Sequence, residues 1–174
     1  MKRPTLRDDV LVLRPARPDD ADAIVAACQD SEIPRWTAVP SPYTRADAEA
    51  FIAAGAQECA AGKAINLLAV DPHDGRLLGS VAAMELDRAP GYGELGYWVA
   101  AEARGRGVAT RAVRLLAQWA ERELGLTRLE LLVHEDNLAS RRVAEKAGFR
   151  DTGNLRVSPR AGPGSPPLAV YARH

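Results

Sequence analysis

The stretch Arg104-Gly105-Arg106-Gly107-Val108-Ala109-Thr110 places two glycines and two arginines directly ahead of a long run of helically spaced apolar residues. The first turn of a helix has backbone N–H groups without intrahelical partners and carries the positive end of the helix dipole. Gly105 and Gly107 let the backbone approach a ligand closely, and Arg104, Arg106 and Arg111 add charge. The chemistry this suits is the cradling of an anion such as a pyrophosphate. A Rossmann fingerprint would need a third glycine where Thr110 stands and an opening βαβ unit that the preceding residues do not supply; only Glu135, at a later strand end, speaks for it. A Walker loop would need Gly-Lys-Ser/Thr, which is absent. A merely tight strand-to-helix turn needs one glycine and leaves Arg104 and Arg106 unexplained.

The elements that must position this stretch follow from periodicity. Gly93–Val99 predicts the strand that leads into it, and Val108, Ala112, Leu115, Leu116, Trp119, Ala120 and Leu124 predict an amphipathic helix ending near Gly125. Leu129–His134 predicts a strand and Leu138–Ala147 a short helix stopped by Gly148, with Asn137 as a good N-cap and Ser140 in the first turn. Upstream, Val10–Leu13 predicts a strand, and Pro18-Asp19-Asp20 starts a helix carrying Ile24, Val25 and Cys28. Thr44-x-x-Asp47 resembles a capping box ahead of a helix with Phe51, Ile52, Gly55 and Cys59 on one face. Ile65–Val70 and Leu77–Leu86 predict an antiparallel hairpin through His73-Asp74-Gly75. Two segments predict loops: Ser31–Tyr43, with three prolines, and 158–167, with four. Leu168–Tyr171 predicts a last strand pairing near Leu155–Val157. Trp36 and Tyr43 are either recognition residues of an exposed loop or hydrophobic lids on the core. Cys28 and Cys59 fall on apolar faces and read as inert core thiols, and His134 reads as structural.

Composition narrows the function classes. The 174 residues carry 23 basic and 23 acidic side chains, with 47% hydrophobic residues, which predicts one globular domain over 1–174 able to bury about 70% of the unfolded chain's surface. Two cysteines cannot build a disulfide framework or a structural zinc site. No apolar run approaches the roughly 20 residues that span a bilayer, and the start MKRPTLRDDV has no apolar segment of the secretory kind. A cytoplasmic protein without metal or membrane partner is expected. The net charge of zero divides into −5 for residues 1–87 and +5 for 88–174, which suggests an anionic ligand on the second half and a cationic one near the first. Aromatics at 5% and the lack of a basic run argue against nucleic acid.

Arg104-x-x-Gly107-x-Ala109 resembles the Arg/Gln-x-x-Gly-x-Gly/Ala signature of the GNAT-type N-acetyltransferases, which bind acetyl-CoA. Asn137-Leu-Ala-Ser140-Arg-Arg-Val-Ala-Glu-Lys-Ala-Gly148-Phe149 resembles that family's second CoA-contacting block. The N-terminal strand, the Trp36–Tyr43 loop and Glu94-Leu-Gly-Tyr-Trp look most like the branch of ribosomal-protein N-terminal (alanine/serine) acetyltransferases. The resemblance implies an α/β GNAT fold: a mixed, mostly antiparallel sheet splayed around CoA, with helices on both faces. It implies that the strand ending at Trp98 and Val99 splays from Leu129–Val133. N–H groups across Arg104, Gly105, Arg106, Gly107, Val108, Ala109 and Thr110 would hold the pyrophosphate, and Asn137 would bond the CoA chain as well as capping its helix.

The same resemblance assigns the chemistry. Glu94 matches a general base acting through water, against the alternative of a plain polar strand position, and the Val99 N–H is the natural oxyanion donor. The tyrosine that many relatives carry seven residues after the asparagine is Ala144 here. This removes the usual acid and makes Ser140 the candidate in its place, with water as the alternative proton source. As a weak acid, Ser140 is expected to contribute mainly a hydrogen bond to the sulfur as charge develops there. Trp36 and Tyr43 are the expected acceptor contacts. The expected activity is transfer of an acetyl group from acetyl-CoA to a primary amine, a protein N-terminus or a small molecule, in a ternary complex. The rival is a non-catalytic acyl-CoA-binding module on the same fold. The resemblance also allows a homodimer.

Overall fold

Ile65–Val70 (β3) and Leu77–Asp87 (β4) pair antiparallel around a turn in which the Gly75 N–H donates to the Asp71 carbonyl. The computed structural model describes every residue except Lys2, Arg88 and Ala161. Tyr92–Val99 (β5) continues the meander on the other side of β4. Leu6–Arg7 (β1) and Val12–Arg14 (β2) extend the opposite edge, so the predicted N-terminal strand sits two residues later and gains a short partner. Arg128–Val133 (β6), Arg150–Arg156 (β7) and Leu168–Arg173 (β8) complete one sheet, ordered β1-β2-β3-β4-β5-β6-β8-β7. All neighbouring strands run antiparallel except β5 and β6.

That one parallel pair needs a crossover, and the predicted amphipathic helix supplies it: Val108–Leu124 (α4). Its buried stripe, including Val108, Ala112, Val113, Leu116 and Ala120, shares a core with Leu67, Val81, Leu95 and Leu131 of the sheet. Gly125 ends it in the left-handed conformation, φ 69°, its N–H returning to the Ala120 carbonyl. Leu138–Lys146 (α5) lies beside it, and Ala144 of α5 is fully buried in the same core.

The opposite face is covered by Ala21–Ala27 (α1) and Arg45–Ala60 (α3), packing Ile24 and Ala48 against Leu68 and Val70. The Thr44/Asp47 capping box is present: the Thr44 N–H donates to Asp47 Oδ2 at 2.7 Å and the Asp47 N–H to Thr44 Oγ1 at 3.2 Å. The expected loop Ser31–Tyr43 needs correction, because Glu32–Trp36 (α2) is a short helix. Pro34 is compatible with it, since first-turn N–H groups have no intrahelical partner to lose. The 158–167 stretch carries no helix or strand among its described residues. Among the described residues, no helix is long and apolar enough to cross a membrane.

Candidate active site

The parallel pairing of β5 with β6 covers Tyr92–Leu95 against Arg128–Leu131 and then stops. Beyond it, β5 stays with β4 as far as Val99, and β6 stays with β8 as far as Val133. The strands therefore diverge within the sheet, as expected for Trp98 and Val99. Ladder geometry fixes where the freed backbone points. The Ala100 N–H donates to the Leu78 carbonyl at 2.9 Å, so Gly79 and Val99 form a non-hydrogen-bonded pair. The N–H and C=O of Val99 thus face the gap. A cleft of about 1260 Å³ runs through the gap, lined by Val99, Gly107, Asn137 and Ser140 from one side and by Trp36 and Glu94 from the other.

The glycine turn enters the cleft as a cradle. Gly105 and Gly107 have φ of 72° and 78°, and a Cβ on either would meet no protein atom within 4 Å. Gly107 is the N-cap of α4, and the Arg111 N–H makes a first-turn bond to its carbonyl. The N–H groups of Val108, Ala109 and Thr110 precede that bond and lack intrahelical acceptors. All three residues line the cleft. An anion with several acceptor oxygens fits such a donor set, and the open space over both glycines leaves room for it.

The arginines behave differently from expectation. Arg104 lines the cleft but pairs with Asp30, and its Nη2 donates to the Val99 carbonyl at 3.1 Å. It ties the turn to the end of β5 and occupies the Val99 carbonyl, leaving the Val99 N–H as the group facing the gap. Arg106 is exposed and does not line the cleft. Arg111 is drawn away to Asp8 at 2.9 Å and Asp9 at 2.8 Å. The backbone, more than these side chains, makes the cradle.

Alternation along β5 sends its side chains to opposite faces. Trp98 packs with the α1–α3 cluster, whereas Leu95, Tyr97 and Val99 pack with the α4 side. Glu94 shares the parity of Trp98, and Ser140 lies across the sheet in α5. Glu94 is 4% exposed and stands opposite Glu130 in the parallel register. Two like charges so placed repel, and Arg156 bridges them, 2.7 Å from Glu130 and 3.4 Å from Glu94. Arg160 reaches back from the 158–167 loop to pair with Glu94 and, at 3.1 Å, with Glu85. Burial raises the Glu94 pKa above the usual glutamate value, opposed by Arg160 and Arg156 and reinforced by Glu85 and Glu130. Burial would also raise Glu130, but Arg128, Arg156 and Tyr92 outweigh it and hold Glu130 below the usual value.

Asn137 caps α5, its Oδ1 accepting the Ser140 N–H at 3.0 Å. Ser140 Oγ lies 2.8 Å from the Tyr97 hydroxyl, a contact that sequence reasoning missed because the two residues are 43 positions apart. Of the expected acceptor contacts, Trp36 is half-buried at the cleft wall and stacks edge-on against His134, ring centroids 5.5 Å apart. His134, read as structural from the sequence, therefore lines the cleft as well. Tyr43 also lines the cleft while packing into the α1–α3 core, where burial pushes its pKa up to about 12, so its position suits the lid reading and the recognition reading alike.

Residues 10–150 match the family described as the acetyltransferase (GNAT) domain. The chain belongs to the GNAT acetyltransferase family. It is 38% identical over 84 residues to YdaF of Bacillus subtilis (strain 168), whose name provisionally assigns it to the ribosomal N-acetyltransferases; the match covers 48% of this chain and 46% of YdaF. It is 28% identical over 154 residues to YoaA of the same organism, named as an uncharacterized N-acetyltransferase, covering 88% and 86%. The match spans less than half the length of YdaF and most of the length of YoaA. The fold matches RimL, a ribosomal L7/L12 alpha-N-protein acetyltransferase solved with coenzyme A, with a TM-score of 0.84, 18% identity, and 98% and 97% of the two chains covered. It also matches the ribosomal-protein-S5-alanine acetyltransferase of Vibrio fischeri, with a TM-score of 0.83, 19% identity, and 98% and 96% covered.

Proposed function

We propose that this GNAT protein transfers an acetyl group from acetyl-CoA to a primary amine by direct attack in a ternary complex. The observation that carries the reading is the gap between β5 and β6. It presents the Val99 N–H and the free N–H groups of α4 to one cleft, with Glu94 reaching that cleft from one face of the sheet and Ser140 from the other. Acetyl-CoA supplies the activated acyl group, and its pyrophosphate suits the N–H groups of Val108, Ala109 and Thr110. Asn137 lines the same cleft and is the residue we assign to the CoA chain.

Each remaining requirement of acyl transfer has a group at hand. A buried carboxylate with a raised pKa is a better proton acceptor than an ordinary glutamate, so Glu94 takes the amine proton, through water where the amine does not reach it. The Val99 N–H donates to the carbonyl oxygen as negative charge grows there. Ser140 donates a hydrogen bond to sulfur as the thiolate departs. A carboxylate on one face and a hydroxyl on the other keep proton removal and leaving-group stabilisation apart. The names of the relatives favour a protein N-terminus as acceptor. Arg160, held between Glu85 and Glu94, occupies the place a cationic acceptor would take.

The test is the initial rate of free-CoA release from acetyl-CoA with a panel of amines: N-terminal peptides beginning with alanine or serine, polyamines and amino-acid derivatives. Amine-dependent release with intersecting double-reciprocal lines is expected. Tight acetyl-CoA binding without amine-dependent release would favour the acyl-CoA-binding module instead.

A further inference from the structure

We propose that Tyr97 is a positioning residue for Ser140: its phenol donates to Ser140 Oγ and thereby aims the serine's own hydrogen at the departing sulfur. This rests on the reading of Ser140 as the group that meets the thiolate. The two hydroxyls come from β5, which borders the gap, and from α5, which follows β6 in the chain, and both residues line the cleft.

The contact fixes what the helix alone leaves free. Asn137 Oδ1 holds the Ser140 N–H at 3.0 Å and so pins the backbone of the first turn, but not the side-chain rotamer. A serine at the start of a helix can otherwise turn its hydroxyl back onto a nearby carbonyl. A serine hydroxyl has one hydrogen and two acceptor lone pairs. The phenol is the stronger acid of the pair, so it donates and the serine accepts, which leaves the serine hydrogen for the cleft. The Tyr97 ring is packed among core residues from β5 to α4, so its hydroxyl is a rigid donor. Burial further raises the phenol's pKa and keeps it protonated.

The role is one of orientation. As the C–S bond breaks, its electron pair goes to sulfur, and the Ser140 O–H stabilises that charge. The thiolate leaves as such and takes its proton from water, so neither hydroxyl loses one.

A double-mutant cycle tests this with two readouts, kcat for CoA release and Kd for acetyl-CoA, on Tyr97→Phe, Ser140→Ala and the double variant. Tyr97→Phe should lower kcat about three- to tenfold, the scale of one neutral hydrogen bond, with Kd unchanged within twofold. In the Ser140→Ala background the same change should cost nothing more, because the hydroxyl it orients is gone. Wild-type kcat for Tyr97→Phe, beside a slowed Ser140→Ala, would overturn the proposal and leave the Ser140 reading standing. Equal losses in both backgrounds would show Tyr97 acting independently, and a weakened Kd would make it a CoA-binding residue; either overturns the proposal. Ser140→Ala within twofold of wild type would overturn the Ser140 reading, and the orientation role with it.

Discussion

Gly107 and Gly125 bound the same helix and form a matched pair for testing the cradle. Both are left-handed, with φ of 78° and 69°, and a Cβ on either would touch nothing within 4 Å. An alanine at either position therefore costs only backbone strain, about 1–2 kcal/mol. In a chain of this size that lowers Tm by about 2–8 °C in both variants. The functional consequences should separate. Gly107 lines the cleft and opens the turn whose N–H groups would meet the pyrophosphate, whereas Gly125 lies at the far end of α4. Gly107→Ala should weaken acetyl-CoA binding at least tenfold, or about 1.4 kcal/mol, and Gly107→Val more; Gly125→Ala should leave it within twofold. Thermal unfolding paired with calorimetric titration reads both quantities on the same samples. Equal affinity in Gly107→Ala and Gly125→Ala, at equal loss of stability, would refute the cradle.

Glu94→Gln keeps size and hydrogen bonding, so acetyl-CoA affinity should hold while kcat falls by about 100- to 10,000-fold; a threefold effect or less across pH 6–9 would assign the proton to another acceptor. Glu94 accepts a proton only when ionised, so its raised pKa places the acid limb of kcat/KM above the ordinary glutamate range. Arg160→Ala removes a cation that opposes that rise, and the limb should move to still higher pH; a move to lower pH would contradict the assignment. Ala144→Tyr places a large side chain where alanine is fully buried, so it should destabilise the fold by about 1–3 kcal/mol in denaturant unfolding and should not restore an acid to the cleft.

Local patterns reached much of the fold. α4 was legible because its apolar residues recur at helical spacing and Gly125 has to end it. The β3–β4 hairpin followed from alternation and its turn, and the divergence at Val99 came from the family resemblance. The Ser31–Tyr43 segment misled because three prolines outweighed the one fact that matters for Pro34, its place in a first turn. Arginine partners were out of reach. Arg104 finds Asp30 and Arg111 finds Asp8 only once the sheet and helices are assembled, so a cluster of positive residues in the chain became a backbone cradle in space. The same holds for Glu94 with Arg160 and for Tyr97 with Ser140, 66 and 43 positions apart.

Amide hydrogen exchange with and without acetyl-CoA tests the central claim, that the gap between β5 and β6 seats the acyl donor. Val99, Val108, Ala109 and Thr110 have N–H groups without ladder or intrahelical acceptors, and they should exchange quickly in the free protein. Acetyl-CoA should slow these four sites markedly and leave the β3–β4 hairpin unchanged. Saturating acetyl-CoA that leaves Val99 and the first turn of α4 exchanging as fast as before would contradict the account.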